Sequence, residues 1–135
     1  MKVIHIATAF PRREDDPITP WLGTLLLSLR DRGLEVEVLA PAYRGSRTHR
    51  WHGLTVHRFR YAPRGLETLT HDETAPDRLR HRPAYALLLP SYLAAGCLAA
   101  ARLGARRPDV VHVHWPMPHA LAGTALRAAS AGHTA

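Results

Sequence analysis

Residues 2–41 change hydrophobic period twice, and that change constrains the fold more than any other feature of the chain. "KVIHIAT" (2–8) is β-branched and reads as a buried strand. "TPWLGTLLLSLRDRG" (19–33) then follows a helical period, with Trp21, Leu22, Leu25, Leu26 and Leu29 on one face. Thr19 is placed to cap the helix, Pro20 to open it and Gly33 to end it. "LEVEVLAP" (34–41) returns to strand. A strand, a single helix and a second strand at this spacing form a parallel pair joined by a right-handed crossover.

The remainder extends that unit. "LTVHRF" (54–59) and "DVVHVHW" (109–115) read as two further strands, 83–107 as a long helix kinked at Pro90, and 118–132 as a small-residue helix. Residues 60–82 have no clean period and read as a long loop, either functional or mobile. The fold class predicted is α/β: a Rossmann-like, mostly parallel sheet with helices on both faces. At 135 residues the chain accommodates one such domain. The run 84–101 carries no charge. It is short for a bilayer and interrupted by Pro90, Ser91 and Gly96, so it reads as a buried or interfacial crossover helix rather than a membrane span.

Net charge is +7, almost all of it arginine, with Lys2 the only lysine. The arginines are scattered rather than clustered, which argues against a nucleic-acid partner. Cys97 is the only cysteine, so no internal disulfide forms, and a reducing, cytoplasmic setting is expected.

In a doubly wound sheet the first strand and the strand at 109–115 lie side by side, and a crevice opens beyond their C-terminal ends. Its lips are "AFPRREDDPIT" (9–19) and "HWPMPH" (114–119). The first lip has no G-x-G-x-x-G, and Asp15 and Asp16 would repel a phosphate at the following helix. Carboxylates, arginines, a histidine and an indole instead suit a hydroxyl-rich ligand such as a sugar. An equally open reading makes Asp15 and Asp16 a solvated turn that complements the helix dipole. His112, His114 and His119, with His5, raise a metal reading, but no cysteine or carboxylate completes a zinc set, so no metal is expected. His71, Asp72 and Glu73 offer either an acid–base pair or a solvated charge cluster.

Four blocks carry a family likeness: "FPRREDDPITPWL", "LEVEVLAP", "VHRFRYAPRGLETLTHDETAPDRL" and "PDVVHVHWPMPHALAG". Together they resemble the N-terminal domain of bacterial family-4-like glycosyltransferases. That resemblance implies a GT-B fold of two Rossmann-like domains and retaining transfer from a nucleotide-sugar donor to a hydroxylated acceptor. It implies that this domain binds the acceptor, through Phe10, Arg13, Asp15, Asp16, Thr19, His114 and Trp115, with His71 and Glu73 as further loop contacts. The family's catalytic histidine and donor-side glutamates would follow Ala135, so the resemblance assigns no catalytic residue here. It also implies that 1–135 is a partial acceptor-side domain, inactive alone, with its donor domain in cis or trans. No cofactor is expected beyond the donor substrate. The expected location is the cytoplasm, with the arginines and the apolar helix compatible with contact at the inner face of the membrane. Two other readings stay open: a non-catalytic module binding sugar or protein, and one half of a split glycosyltransferase.

Overall fold

The computed structural model describes residues 1–132. A five-stranded sheet is built from β1 (Lys2–Ile6), β2 (Glu35–Pro41), β3 (His49–Trp51), β4 (Leu54–Phe59) and β5 (Val110–Val113), in the order β3-β4-β2-β1-β5. Every pairing is parallel except β3–β4. The helices are α1 (Pro20–Asp31), α2 (Ala75–His81), α3 (Leu89–Gly104) and α4 (Pro116–Ala131). This is the Rossmann-like α/β class predicted from the alternating periods.

Strand alternation divides the core. Val36, Val38, Ala40, Leu54 and Val56 face α1 and pack with its Leu22 and Leu26. Ile4, Ile6 and Leu39 face the opposite way, against Leu103 of α3 and Ala122 and Leu126 of α4. α3 and α4 meet closely at Gly104, where an added Cβ would stand 2.6 Å from the Leu126 carbonyl oxygen. α3 therefore acts as the crossover between β4 and β5. Its run Pro83–Gly104 is long and apolar enough by length and composition to cross a membrane, but here it packs on α4 and the sheet.

Several local expectations are corrected. The chain before β4 forms a hairpin, with β3 joined through His52 and Gly53 at φ 42° and 84°, the left-handed pair that a two-residue turn of this hand requires. Residues 60–82 are not all loop: Thr74 caps α2, its hydroxyl accepting from the Asp77 amide at 3.4 Å, and Leu69 is buried with its amide donating to the Tyr61 hydroxyl. Pro90 does not kink a long helix. It lies in the first turn of α3, after a 3-10 segment Pro83–Leu88. Met117 is outside helical geometry, so regular helix in α4 begins at Pro118, as the sequence places it. The Thr19 side chain does not cap α1; Thr19 is left-handed at φ 46° and its carbonyl accepts from the Leu22 and Gly23 amides. Trp21 and Leu25 of α1 point outward, because Gly23 packs against the Trp51 ring and turns the buried stripe toward Leu22 and Leu26. The family resemblance implies that 129–135 leads into a further strand; residues 133–135 lie outside the described residues.

Candidate functional site

β1 and β5 pair in parallel, with His5 opposite His112 and Ile6 opposite Val113. Both strands stop at the same level, and the chain leaves β1 toward α1 and β5 toward α4. The strand order that defines the predicted crevice is therefore present, with residues 7–19 leaving β1 and 114–116 leaving β5.

The first lip is held in place from below. Arg58, at the end of β4, is buried and donates to the carbonyl oxygens of Phe10 (2.8 Å), Pro11 (2.7 Å) and Pro41 (3.1 Å). It also reaches His71 Nε2 at 3.2 Å. Burial, with the neighbouring Arg12 charge, pulls its pKa down to about 10, so the guanidinium stays charged at neutral pH. His71 in turn is pushed down to about 3 by burial and by the Arg58 and Arg12 charges, which fixes it as a neutral acceptor. One buried cation thus pins three carbonyls, two in the loop after β1 and one at the end of β2, satisfying groups that the sheet leaves unpaired.

Above that clamp, Asp16 is the anchor of the loop. Its carboxylate accepts from Arg12 Nε (2.6 Å), Arg12 NH2 (3.2 Å), the Arg12 amide (3.0 Å) and the Ile18 amide (3.3 Å). Its side chain is 2% exposed. Burial alone would raise its pKa, but the Arg12 bonds outweigh it and hold the carboxyl at about 2. Arg12 also lies over the Tyr43 ring, 4.5 Å from its centroid, and the Tyr43 hydroxyl donates to Asp72.

The candidate residues thus divide. Phe10 is wholly buried, edge-on to Trp51 at 5.1 Å, so it is core and not a ligand contact. Asp16 faces inward to Arg12 for the reason just given. Thr19 is half-buried with no hydrogen bond to its hydroxyl among the described residues. Arg13 and Asp15 lie out in solvent, paired with each other at 2.6 Å and both 75% exposed. Trp115 projects from the second lip, 65% exposed and left-handed at φ 63°. His114 is buried beneath it and touches Trp21 edge-on at 5.9 Å. His71 and Glu73 do not pair: Glu73 binds Arg78 at 2.9 Å and His81 at 3.0 Å. His119 is on the other side of the sheet, where its Nε2 meets the Tyr92 hydroxyl at 2.8 Å.

What remains accessible is the indole of Trp21 at the start of α1, the indole of Trp115 in the second lip and the Arg13–Asp15 pair of the first. The apolar indole faces can stack on a sugar ring while the ion pair supplies both a donor and an acceptor for hydroxyls. Two other depressions lie elsewhere, one lined by Phe59, Tyr92, Gly96 and His119 and the other by Thr48, His57, Arg58 and Arg102. Neither touches the Arg13–Asp15 pair or Trp115. Arg58 and Trp21 are not singled out as site residues by sequence, and Arg12, one of the loop arginines expected as a contact, is instead turned onto Asp16. The signal available for Arg58 is a charged residue next to the end of a β-patterned run.

Residues 21–134 match the family model described as Glycosyltransferase Family 4. The matched span includes β5, the second lip and α4, whereas residues 9–19 of the first lip precede it. No curated protein and no solved structure gives a match.

Proposed function

The chain belongs to glycosyltransferase family 4, and from that premise we propose that it forms the acceptor-binding side of a sugar-transferring enzyme. The observation that carries this reading is the surface between the C-terminal ends of β1 and β5, with Trp21, Trp115, Arg13 and Asp15 accessible and no phosphate-binding loop between them. A glycine-rich turn at a helix N-terminus would present bare amides to a nucleotide. Here the corresponding turn carries the Asp16–Arg12 knot instead, with Asp15 negative beside it.

In this reading the acceptor is hydroxylated and lies across the two indoles. The nucleotide-sugar donor is held by a second domain in cis or trans, and the chain by itself does not turn over. The developing charge on the leaving nucleotide needs cationic or amide donors facing it. Those groups belong to the donor side. A cytoplasmic location, with the apolar α3 region near the inner face of the membrane, goes with the same proposal.

The test is steady-state kinetics of the enzyme that carries this domain. Asp15→Ala and Trp115→Ala should each raise the acceptor KM and leave the donor KM unchanged. An equal rise in the donor KM, or no change in acceptor kinetics, would reassign the surface.

A further inference from the structure

We infer that His5, His112 and His114 form a binding site for a single divalent cation of the zinc type, at the floor of the β1–β5 crevice. This goes beyond acceptor binding and stands independently of it.

The three rings come together because of register. His5 on β1 is the direct partner of His112 on β5, and His114 follows two residues on, so all three project toward the α1 side of the sheet. One ring nitrogen from each lies within 4.8 Å of the other two. His5 Nδ1 and His114 Nε2 are 2.9 Å apart. Nitrogens around a tetrahedral zinc stand about 3.3 Å apart, from bond lengths near 2.0–2.1 Å. The spacing seen here brackets that value. His112 is exposed and on the edge strand as described, so its ring has the room to rotate and close the set.

The chemistry agrees with the geometry. Three imidazoles with no thiolate or carboxylate among them favour zinc, nickel or copper over magnesium or calcium. Three protein ligands also leave a fourth position for water or a ligand oxygen. The rings stack at centroid distances of 4.3–5.2 Å, too close for more than one to carry a proton comfortably.

Ordinary packing explains less. A shared proton between His5 and His114 accounts for one contact. It leaves His112 outside that contact, although its ring stacks on both of the others. By sequence His5 groups with His112, His114 and His119 but no metal is expected, because no cysteine or carboxylate completes a zinc set; the β1–β5 register brings His5, His112 and His114 together without either.

The test is titration of the tag-free, chelator-treated full chain with cobalt(II), followed by its visible d–d absorption. The expected result is a band that saturates at one cobalt per chain and is displaced by zinc. His112→Ala, at an exposed position, should weaken cobalt binding by at least about 100-fold, since even the residues that merely orient metal ligands are worth 10–100-fold. His114→Gln should do the same, with far-UV circular dichroism showing that each variant is folded. His52→Asn, at an exposed turn where asparagine tolerates the positive φ, should leave the band intact. Absence of the band in the unsubstituted chain would overturn the assignment, and so would a band that survives His112→Ala and His114→Gln unchanged.

Discussion

Replacing Asp16 by asparagine should cost the fold about 2 kcal/mol at neutral pH, and that cost should vanish in acid. The carboxyl titrates at about 2 in the folded chain against 3.8 for an unperturbed aspartate. A difference of roughly 1.8 units corresponds to about 2.4 kcal/mol at about 1.36 kcal/mol per unit. Little discount for solvent is needed, because the side chain is 2% exposed. The folded pKa is the lower one, so the contribution is complete above the unfolded value and is lost as pH falls from about 4 through about 2. Asparagine keeps one carbonyl oxygen, for the Arg12 amide or the Ile18 amide but not both, and removes the charge that holds the Arg12 guanidinium. Urea unfolding at pH 7 and pH 2.5, read by tryptophan fluorescence, measures the gap. Trp51 is a suitable reporter, since its indole nitrogen donates to the Arg13 carbonyl at 3.2 Å within the same loop. A gap below about 0.5 kcal/mol at pH 7, or one of equal size at both pH values, would refute the assignment of the ion pair as the loop's anchor.

Arg58→Met should destabilise the chain by about 3 kcal/mol, because it leaves the Phe10, Pro11 and Pro41 carbonyls without their shared donor, and hydrogen exchange should rise in residues 8–18 before it rises elsewhere. Gly104→Ala should cost about 1–3 kcal/mol in urea unfolding, since its Cβ would meet the Leu126 carbonyl at 2.6 Å and the Ala129 methyl at 2.7 Å. Glu37→Gln should cost about 3 kcal/mol, because the buried carboxylate at 7% exposure joins Lys2 (2.9 Å), His57 (2.5 Å) and Arg106 (3.1 Å). Burial raises the Glu37 pKa but the Lys2 and His57 bonds bring it below the ordinary glutamate value. That contribution too is present above the unfolded pKa and fades as pH falls; a thermal scan at pH 7 and pH 3 would show it.

The layout of the sheet was legible because long elements announce their period. β1, α1 and β2 each span enough residues for the alternation or the helical stripe to emerge, and "DVVHVHW" marks β5 equally well. Short elements did not emerge. β3 has three residues and α2 seven, and each owes its existence to a local device, the His52–Gly53 turn and the Thr74 cap, rather than to a repeating pattern. The place of the crevice followed from strand order, but the direction of individual side chains did not. Phe10 and Asp16 turn inward because Arg58, from a strand far along the chain, draws in the backbone beside them, and Arg12 closes over the carboxylate. Nothing in "AFPRREDDPIT" distinguishes Asp16, which is buried, from Asp15, which is not. Trp21 reads as core by helical spacing, and only the close approach of Gly23 to Trp51 puts it at the surface. The three-histidine cluster required the β1–β5 register, which sequence spacing does not contain.

The central claim is that the crevice between β1 and β5 receives a hydroxylated acceptor rather than a nucleotide. Amide and indole chemical-shift mapping of the isotopically labelled chain tests it most directly, with methyl glycosides of glucose, galactose, mannose and N-acetylglucosamine as probes and uridine diphosphate as the comparison. The account predicts that at least one glycoside shifts the Trp21 and Trp115 indoles and the amides of Arg13, Asp15 and His114, while uridine diphosphate leaves them in place. Shifts at those residues from uridine diphosphate, or none from any glycoside, would contradict it.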